Sequence, residues 1–172
     1  ECAQGRPAGA EVATGALSNE REELANALLN LETNLGQWES LREIFHALPL
    51  IAPVDNYHIA SGFGIRKDPF TKRRAMHFGA DLAGWIRSPV YATAPGTVVV
   101  VGRKARFGKM VEIDHGYGIR TRYGHFNKIL VKKGQIVDYR YKIGLLGSTG
   151  RSMGPHVHYE ILFDGKQIDP LK

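Results

Sequence analysis

The sequence predicts a mainly β protein: a compact antiparallel β-sheet domain preceded by one long α-helix. Two observations carry this. After Pro53, glycine and proline punctuate short apolar runs, and no stretch beyond residue 55 keeps a helical period. Before Pro49, leucines recur in alternating steps of four and three, which is a helical pattern. The 20 glycines and 7 tyrosines also favour a turn-rich β architecture over a helical bundle.

In chain order, residues 1–17 are rich in Gly and Ala without periodicity and predict a flexible leader. Ser18 has the chemistry of a helix N-cap, and Glu20, Glu22 and Glu23 suit the positive end of the helix dipole. Leu24, Leu28, Leu31, Leu35 and Trp38 then form a heptad seam. Arg42 interrupts it, while Leu41, Ile44, Phe45 and Leu48 continue a slightly rotated apolar stripe, and Pro49 and Pro53 close the helix. Residues 18–48 therefore predict an amphipathic, coiled-coil-like helix of about thirty residues, about 45 Å long. A leucine seam of this kind requires a covering surface, supplied by its own domain or by a partner helix.

Residues 49–172 read as the β domain. Its strands are expected at Val98–Val101, Val111–Ile113, Ile119–Tyr123, Ile143–Leu146 and Val157–Phe163. Asp114-His115-Gly116-Tyr117-Gly118 and Asp164-Gly165 have hairpin-turn composition.

Composition excludes several classes. No apolar run reaches the 18 or so residues of a membrane-spanning helix. Cys2 is the single cysteine, so neither an intrachain disulfide nor a thiolate metal cage can form. The net charge of +6 attracts anionic surfaces and polymers. The basic residues are scattered and no recognition motif accompanies them, so nucleic acid is not an expected partner. The start, Glu1-Cys2-Ala3-Gln4-Gly5, reads as an internal segment of a longer precursor.

The chemistry lies in the histidines of the second half. In an extended strand His156 and His158 share one face, because side chains alternate. Such a pair suits metal ligation, or one ligand beside one acid/base group, or an ordinary pair of surface-strand histidines. His77-Phe78-Gly79-Ala80-Asp81 sets an imidazole and a carboxylate four residues apart, with Gly79 permitting a tight path between them. Adding His158 gives three N/O donors, and three donors with an open fourth position mark catalytic rather than structural zinc. Zn2+ held this way polarises a carbonyl and lowers the pKa of water to about 7. His115, beside Gly116, reads as structural. Glu160 shares the face of His158 and reads either as an acceptor for an imidazole N–H or as a surface carboxylate.

Taken together, these motifs resemble the lysostaphin-like (LytM-type) zinc endopeptidases that cut peptide bonds in bacterial peptidoglycan. The family's pattern, H-x-x-x-D, then Tyr-x-His, then H-x-H, stands here as His77 to Asp81, Tyr123-Gly124-His125 and His156-Val157-His158. Ser61-Gly62-Phe63-Gly64 with Arg66 and Asp68-Pro69, and Gly147 through Pro155, are alike too. The resemblance covers residues 53–171 and leaves out the helix and leader. It implies that His77, Asp81 and His158 ligate zinc, with His125 and His156 beside the metal as catalytic histidines. The implied reaction is hydrolysis of peptidoglycan peptide crosslinks in the bacterial cell envelope, expected to be the periplasm of an exported protein, with a place in cell-wall biogenesis and cell division. An alternative function also follows from the helix: an envelope regulator that binds and controls other wall hydrolases or division proteins. The helix seam implies a protein partner or self-association.

Overall fold

The structure, a computed structural model, describes residues 9–172, with side chains from residue 21 onward. The chain divides into two units, Glu1–Glu43 and Ile44–Lys172. Helix α1 spans Gly9–Ala47. Ser18 therefore lies inside the helix rather than at its cap, and the expected leader gives way to helix from Gly9 onward. The reason is propensity: Ala10, Glu11, Ala13, Ala16 and Leu17 are good helix formers, and together they outweigh the cost of about 1 kcal/mol at Gly15. The first eight residues of the expected leader lie outside the described residues. At its other end the helix stops at Ala47, two residues ahead of Pro49, which could not continue it. Leu24, Leu28, Leu31, Leu35 and Trp38 of the seam are all exposed.

The second unit is built of thirteen strands: β1 (His58–Ser61), β2 (Gly64–Lys67), β3 (Arg74–His77), β4 (Ala80–Ala83), β5 (Pro89–Tyr91), β6 (Gly96–Lys104), β7 (Gly108–Gly116), β8 (Ile119–Tyr123), β9 (Lys128–Ile129), β10 (Ile136–Val137), β11 (Lys142–Leu145), β12 (His156–Phe163) and β13 (Lys166–Ile168). The main sheet runs β1-β4-β12-β8-β7-β6-β10, with β13 added to the far part of β12. A three-stranded sheet, β5-β11-β9, and the β2–β3 hairpin complete the unit. Every pairing is antiparallel. The two expected turns are tight: Tyr117-Gly118 joins β7 to β8 and Asp164-Gly165 joins β12 to β13, all four residues with positive φ, the geometry that two-residue hairpins prefer.

The alternation of strand residues separates two jobs on one sheet. Val157 and Tyr159 of β12, with Tyr123 of β8 and Val111 and Ile113 of β7, enter the hydrophobic core beside Val98, Phe126 and Ile143, and Ile161 of β12 packs against it. Each such buried side chain contributes about 1.5–3 kcal/mol relative to exposure. The even-numbered residues of β12, His156, His158 and Glu160, point the other way, and there the site is assembled.

Candidate metal centre

Register brings the distant residues together. In the β4–β12 pair His158 stands directly opposite Asp81, and His156 opposite Ala83. His77 closes β3, opposite Gly64 of β2, and the chain then turns into β4 through Gly79. A β-carbon at Gly79 would run into the Tyr159 carbonyl oxygen and stand 3.0 Å from Glu160 Cγ and 3.1 Å from His158 Cε1. Only glycine lets this connection lie against β12.

Three donor atoms converge as a result. His77 Nε2 lies 3.2 Å from Asp81 Oδ1 and 3.2 Å from His158 Nδ1, and His158 Nδ1 lies 2.8 Å from Asp81 Oδ1. The outer nitrogens settle which atoms carry protons. His77 Nδ1 donates to the Gly62 carbonyl oxygen at 2.7 Å, and His158 Nε2 donates to Glu160 Oε1 at 3.1 Å. A neutral imidazole has one N–H, so His77 Nε2 and His158 Nδ1 face Asp81 as lone pairs. Three lone pairs within a triangle of 2.8–3.2 Å edges need a cation between them. Zinc bonds of 2.0–2.1 Å in a tetrahedron would set ligand atoms about 3.3 Å apart, so the donor set and its spacing fit zinc. Among the described residues this is the one group of three or more His, Cys, Asp or Glu side chains placed to hold a metal ion.

The electrostatics agree. Burial opposes charge on His158, yet its bonds to Asp81 and Glu160 outweigh burial and lift the imidazole to about 9. Burial likewise opposes charge on Asp81, but the His158 and His77 imidazoles against its carboxylate hold it far below the ordinary carboxylate range. Without a metal, a proton on His158 does the bridging, and a metal displaces it.

The surroundings hold the donors in place. Arg66 reaches the other Asp81 oxygen, Oδ2, at 3.3 Å. Behind His158, Glu160 is 3% exposed and pairs with Arg122 at 3.3 Å, and Arg122 Nε donates to Glu112 Oε2 at 2.7 Å. Glu112, Arg122 and Glu160 lie directly opposite one another on β7, β8 and β12, so the row alternates charge across three strands. Of the two readings of Glu160, the structure realises the acceptor for an imidazole N–H. Arg66 was visible only within a flanking motif, and the Gly62 carbonyl leaves no side-chain signal at all.

Two more imidazoles flank the cluster. His125 has φ 64°, a left-handed conformation uncommon outside glycine. Its backbone N–H donates to Phe107 O at 2.7 Å and its Nδ1 donates to Thr149 O at 2.6 Å, leaving Nε2 as the lone pair. Burial pushes His125 down to about 4, against the opposing pull of the Thr149 bond, so the ring is neutral at ordinary pH. His156 lies with its ring centroid 4.5 Å from that of His125 and its Nε2 3.6 Å from Asp81 Oδ1. Both rings line a groove of about 930 Å³ that also takes in His77, Asp81 and His158. All five expected site residues thus meet in one groove. His115 does not join them. It is buried elsewhere on the sheet, with Nδ1 donating to Pro95 O at 2.7 Å and Nε2 2.7 Å from Thr121 Oγ1.

Comparison with known proteins gives a consistent set of relatives. The profile of peptidase family M23 matches residues 75–170. The peptidoglycan DD-endopeptidase ShyB of Vibrio cholerae is 46% identical over 123 residues, which are 70% of this chain and 29% of that protein. Among solved structures, a zinc-containing peptidase from Vibrio cholerae aligns with a TM-score of 0.66 and 46% identity, covering 70% of this chain and 38% of that one. The catalytic domain of lysostaphin from Staphylococcus simulans aligns with a TM-score of 0.62 and 30% identity, over 67% of this chain and 90% of that one. The chain spans under a third of the length of the curated relative just described.

Proposed function

The chain belongs to peptidase family M23, and from that membership we propose that it is a zinc-dependent endopeptidase hydrolysing peptide crosslinks of bacterial peptidoglycan. The observation that carries the proposal is the triangle of three convergent donors, His77 Nε2, Asp81 Oδ1 and His158 Nδ1, with two further imidazoles in the same groove. Zinc bound there supplies Lewis acidity toward the scissile carbonyl and the attacking water.

The remaining work falls to side chains. His156 Nδ1 lies 2.9 Å from the Gly154 carbonyl oxygen, which can only accept, so Nδ1 carries the proton and Nε2 is free to take one from the attacking water. His125, with Nδ1–H committed to Thr149, can likewise only accept while neutral. The proton that His156 takes from the water is the one the departing amine needs, and His125, with its ring centroid 4.5 Å from that of His156, is placed to relay it. Arg66 and Glu160 keep Asp81 and His158 aimed while this happens.

The setting follows from the substrate: the protein acts in the bacterial cell envelope, in the periplasm, and contributes to wall biogenesis and division. The heptad spacing of Leu24 to Trp38 supports pairing of α1 with another helix, in a second copy or in an envelope protein. Among the described residues no helix is long and apolar enough to cross a membrane. The deciding experiment digests purified sacculi and reads the muropeptides by mass spectrometry, with zinc assayed on the same sample. Release of crosslink-derived fragments by the zinc-loaded protein is expected. Uncut sacculi with full zinc would sink the reading in favour of a binding regulator.

A further inference from the structure

Metal ligation and the holding of ligands account for His77, Asp81, His158, Arg66, Glu160 and Arg122 in the groove. They do not account for the loop from Gly147 to Pro155, which contains a closed set of hydrogen bonds that ends on His156. Ser152 Oγ donates to Gly154 O at 2.7 Å, so its single proton is spent. Its lone pairs then receive His156 Nδ1–H at 3.2 Å and the hydroxyl of Ser148 at 2.8 Å. His156 Nδ1–H is shared between Ser152 Oγ and Gly154 O, and Gly154 N–H leans on the same hydroxyl at 3.4 Å. Every bond in this set has a forced direction, because the Gly154 carbonyl cannot donate.

The loop is itself pinned from the opposite wall of the groove. Arg151, the residue before Ser152, places one guanidinium nitrogen 2.7 and 2.9 Å from the two oxygens of Asp68 and lies 4.6 Å over the Phe70 ring. Asp68 is fixed in turn by the backbone N–H groups of Phe70 and Thr71, at 2.9 and 2.7 Å. On the loop's other side Arg151 N–H donates to Arg106 O at 3.0 Å, and Gly150, with φ +78°, lies against the backbone of Gly108. Residue 152 thus has little freedom to move, and neither does its hydroxyl.

We propose that Ser152, clamped by the Asp68–Arg151 pair and by Ser148, is a positioning residue that holds His156 with the proton on Nδ1 and the lone pair on Nε2. The inference rests on the endopeptidase reading for its link to catalysis, but not for its structural content. The Gly154 carbonyl alone would also favour this tautomer, but Ser152 Oγ donates to that same oxygen, so the hydroxyl both holds the carbonyl against the ring and adds a second acceptor for the N–H; without it the carbonyl and the ring are free to turn. The metal donors make no bond to Ser152, so its loss leaves the ion in place.

The test uses the full chain loaded with zinc. Ser152→Ala is expected to lower kcat by about tenfold with KM unchanged, because the loss lies in orientation rather than in substrate binding. Ser152→Thr, which keeps the hydroxyl, restores most of the rate. Asp68→Asn weakens the clamp and gives a smaller loss of the same kind. Long-range proton–nitrogen NMR of the imidazoles reads the tautomer directly: Ser152→Ala should show His156 exchanging between Nδ1–H and Nε2–H forms, while His77 and His158 signals and the zinc content stay as in the parent. An unchanged kcat and an unchanged His156 tautomer in Ser152→Ala would overturn the proposal. If the parent protein cuts no sacculi, the endopeptidase reading fails, and the NMR arm still decides whether Ser152 holds the ring.

Discussion

Two sets of buried histidine, His115 alone and His77 with His158, lie in the same β unit and have opposite chemistry. Around His115 every polar atom finds a protein partner: Pro95 O and Thr121 Oγ1 take the two ring nitrogens, and Thr121 passes on to Tyr123 OH, Thr93 Oγ1 and Tyr159 OH at 2.9–3.0 Å. Around His77 and His158 the outer nitrogens are satisfied in the same way, but the inner ones meet each other and a carboxylate, and only a bridging proton or a metal ion reconciles them. Burial is similar, with His77 and His115 both at 8% exposure. What marks a ligand is therefore not depth but the lone pair left over once the rest of the ring has been hydrogen-bonded.

Removing a donor is the most severe way to break this contrast. His158→Ala takes away one corner of the triangle; zinc should no longer co-purify, and cleavage of muropeptides should fall ~10³-fold or more. His156→Ala separates chemistry from binding: one zinc per chain is retained by metal analysis, while the rate falls ~10²–10⁴-fold. Retained activity in the first variant, or lost metal in the second, would invert the roles given to these two residues.

A gentler probe acts on the outer nitrogen. Glu160→Gln removes the charge that receives His158 Nε2–H and pairs with Arg122, and zinc affinity measured against a competing chelator should drop ~10–100-fold. The smallest effect belongs to the closed node. His115→Gln should leave zinc and rate untouched and cost about 1–3 kcal/mol in thermal or denaturant unfolding. It should also flatten the acid side of the stability curve. Burial holds His115 below its ordinary value of 6.5, so the unfolded chain takes up the proton first. The contribution is complete above 6.5 and is lost as pH falls from there through the folded value. If the parent and the variant show parallel pH curves, His115 is not the titrating group.

Much of this was legible in the residues themselves. Five strand positions, in β6, β7, β8, β11 and β12, followed from short apolar runs between turn residues, and the shared face of His156 and His158 from the two-residue period; β3 and β4, which carry His77 and Asp81, and the other short strands did not. The helix was legible too, apart from its start, because a capping serine is a weaker signal than a continuing run of good helix formers from Gly9. Long-range register was not legible. That His158 faces Asp81 depends on β12 choosing β4 as a neighbour, and local pattern does not encode that choice. Nor could backbone acceptors be read: the carbonyls of Gly62, Thr149 and Gly154 decide the protonation of three imidazoles, yet every residue has a carbonyl. Glu160 stayed open between two readings because period places it on the right face but says nothing of what covers that face.

The close seat of Gly79 against β12 has a consequence for anyone transplanting this centre. The donors could be copied onto another antiparallel sheet with the same four-residue spacing, but a side chain at the midpoint would push the connection off the neighbouring strand. Metal sites tolerate errors of only about 0.2 Å in ligand distance, well below the size of a methyl group. The transferable unit is therefore His-x-Gly-x-Asp together with the strand it rests on, and a graft that keeps the ligands but not the glycine should yield a folded sheet with weak metal affinity.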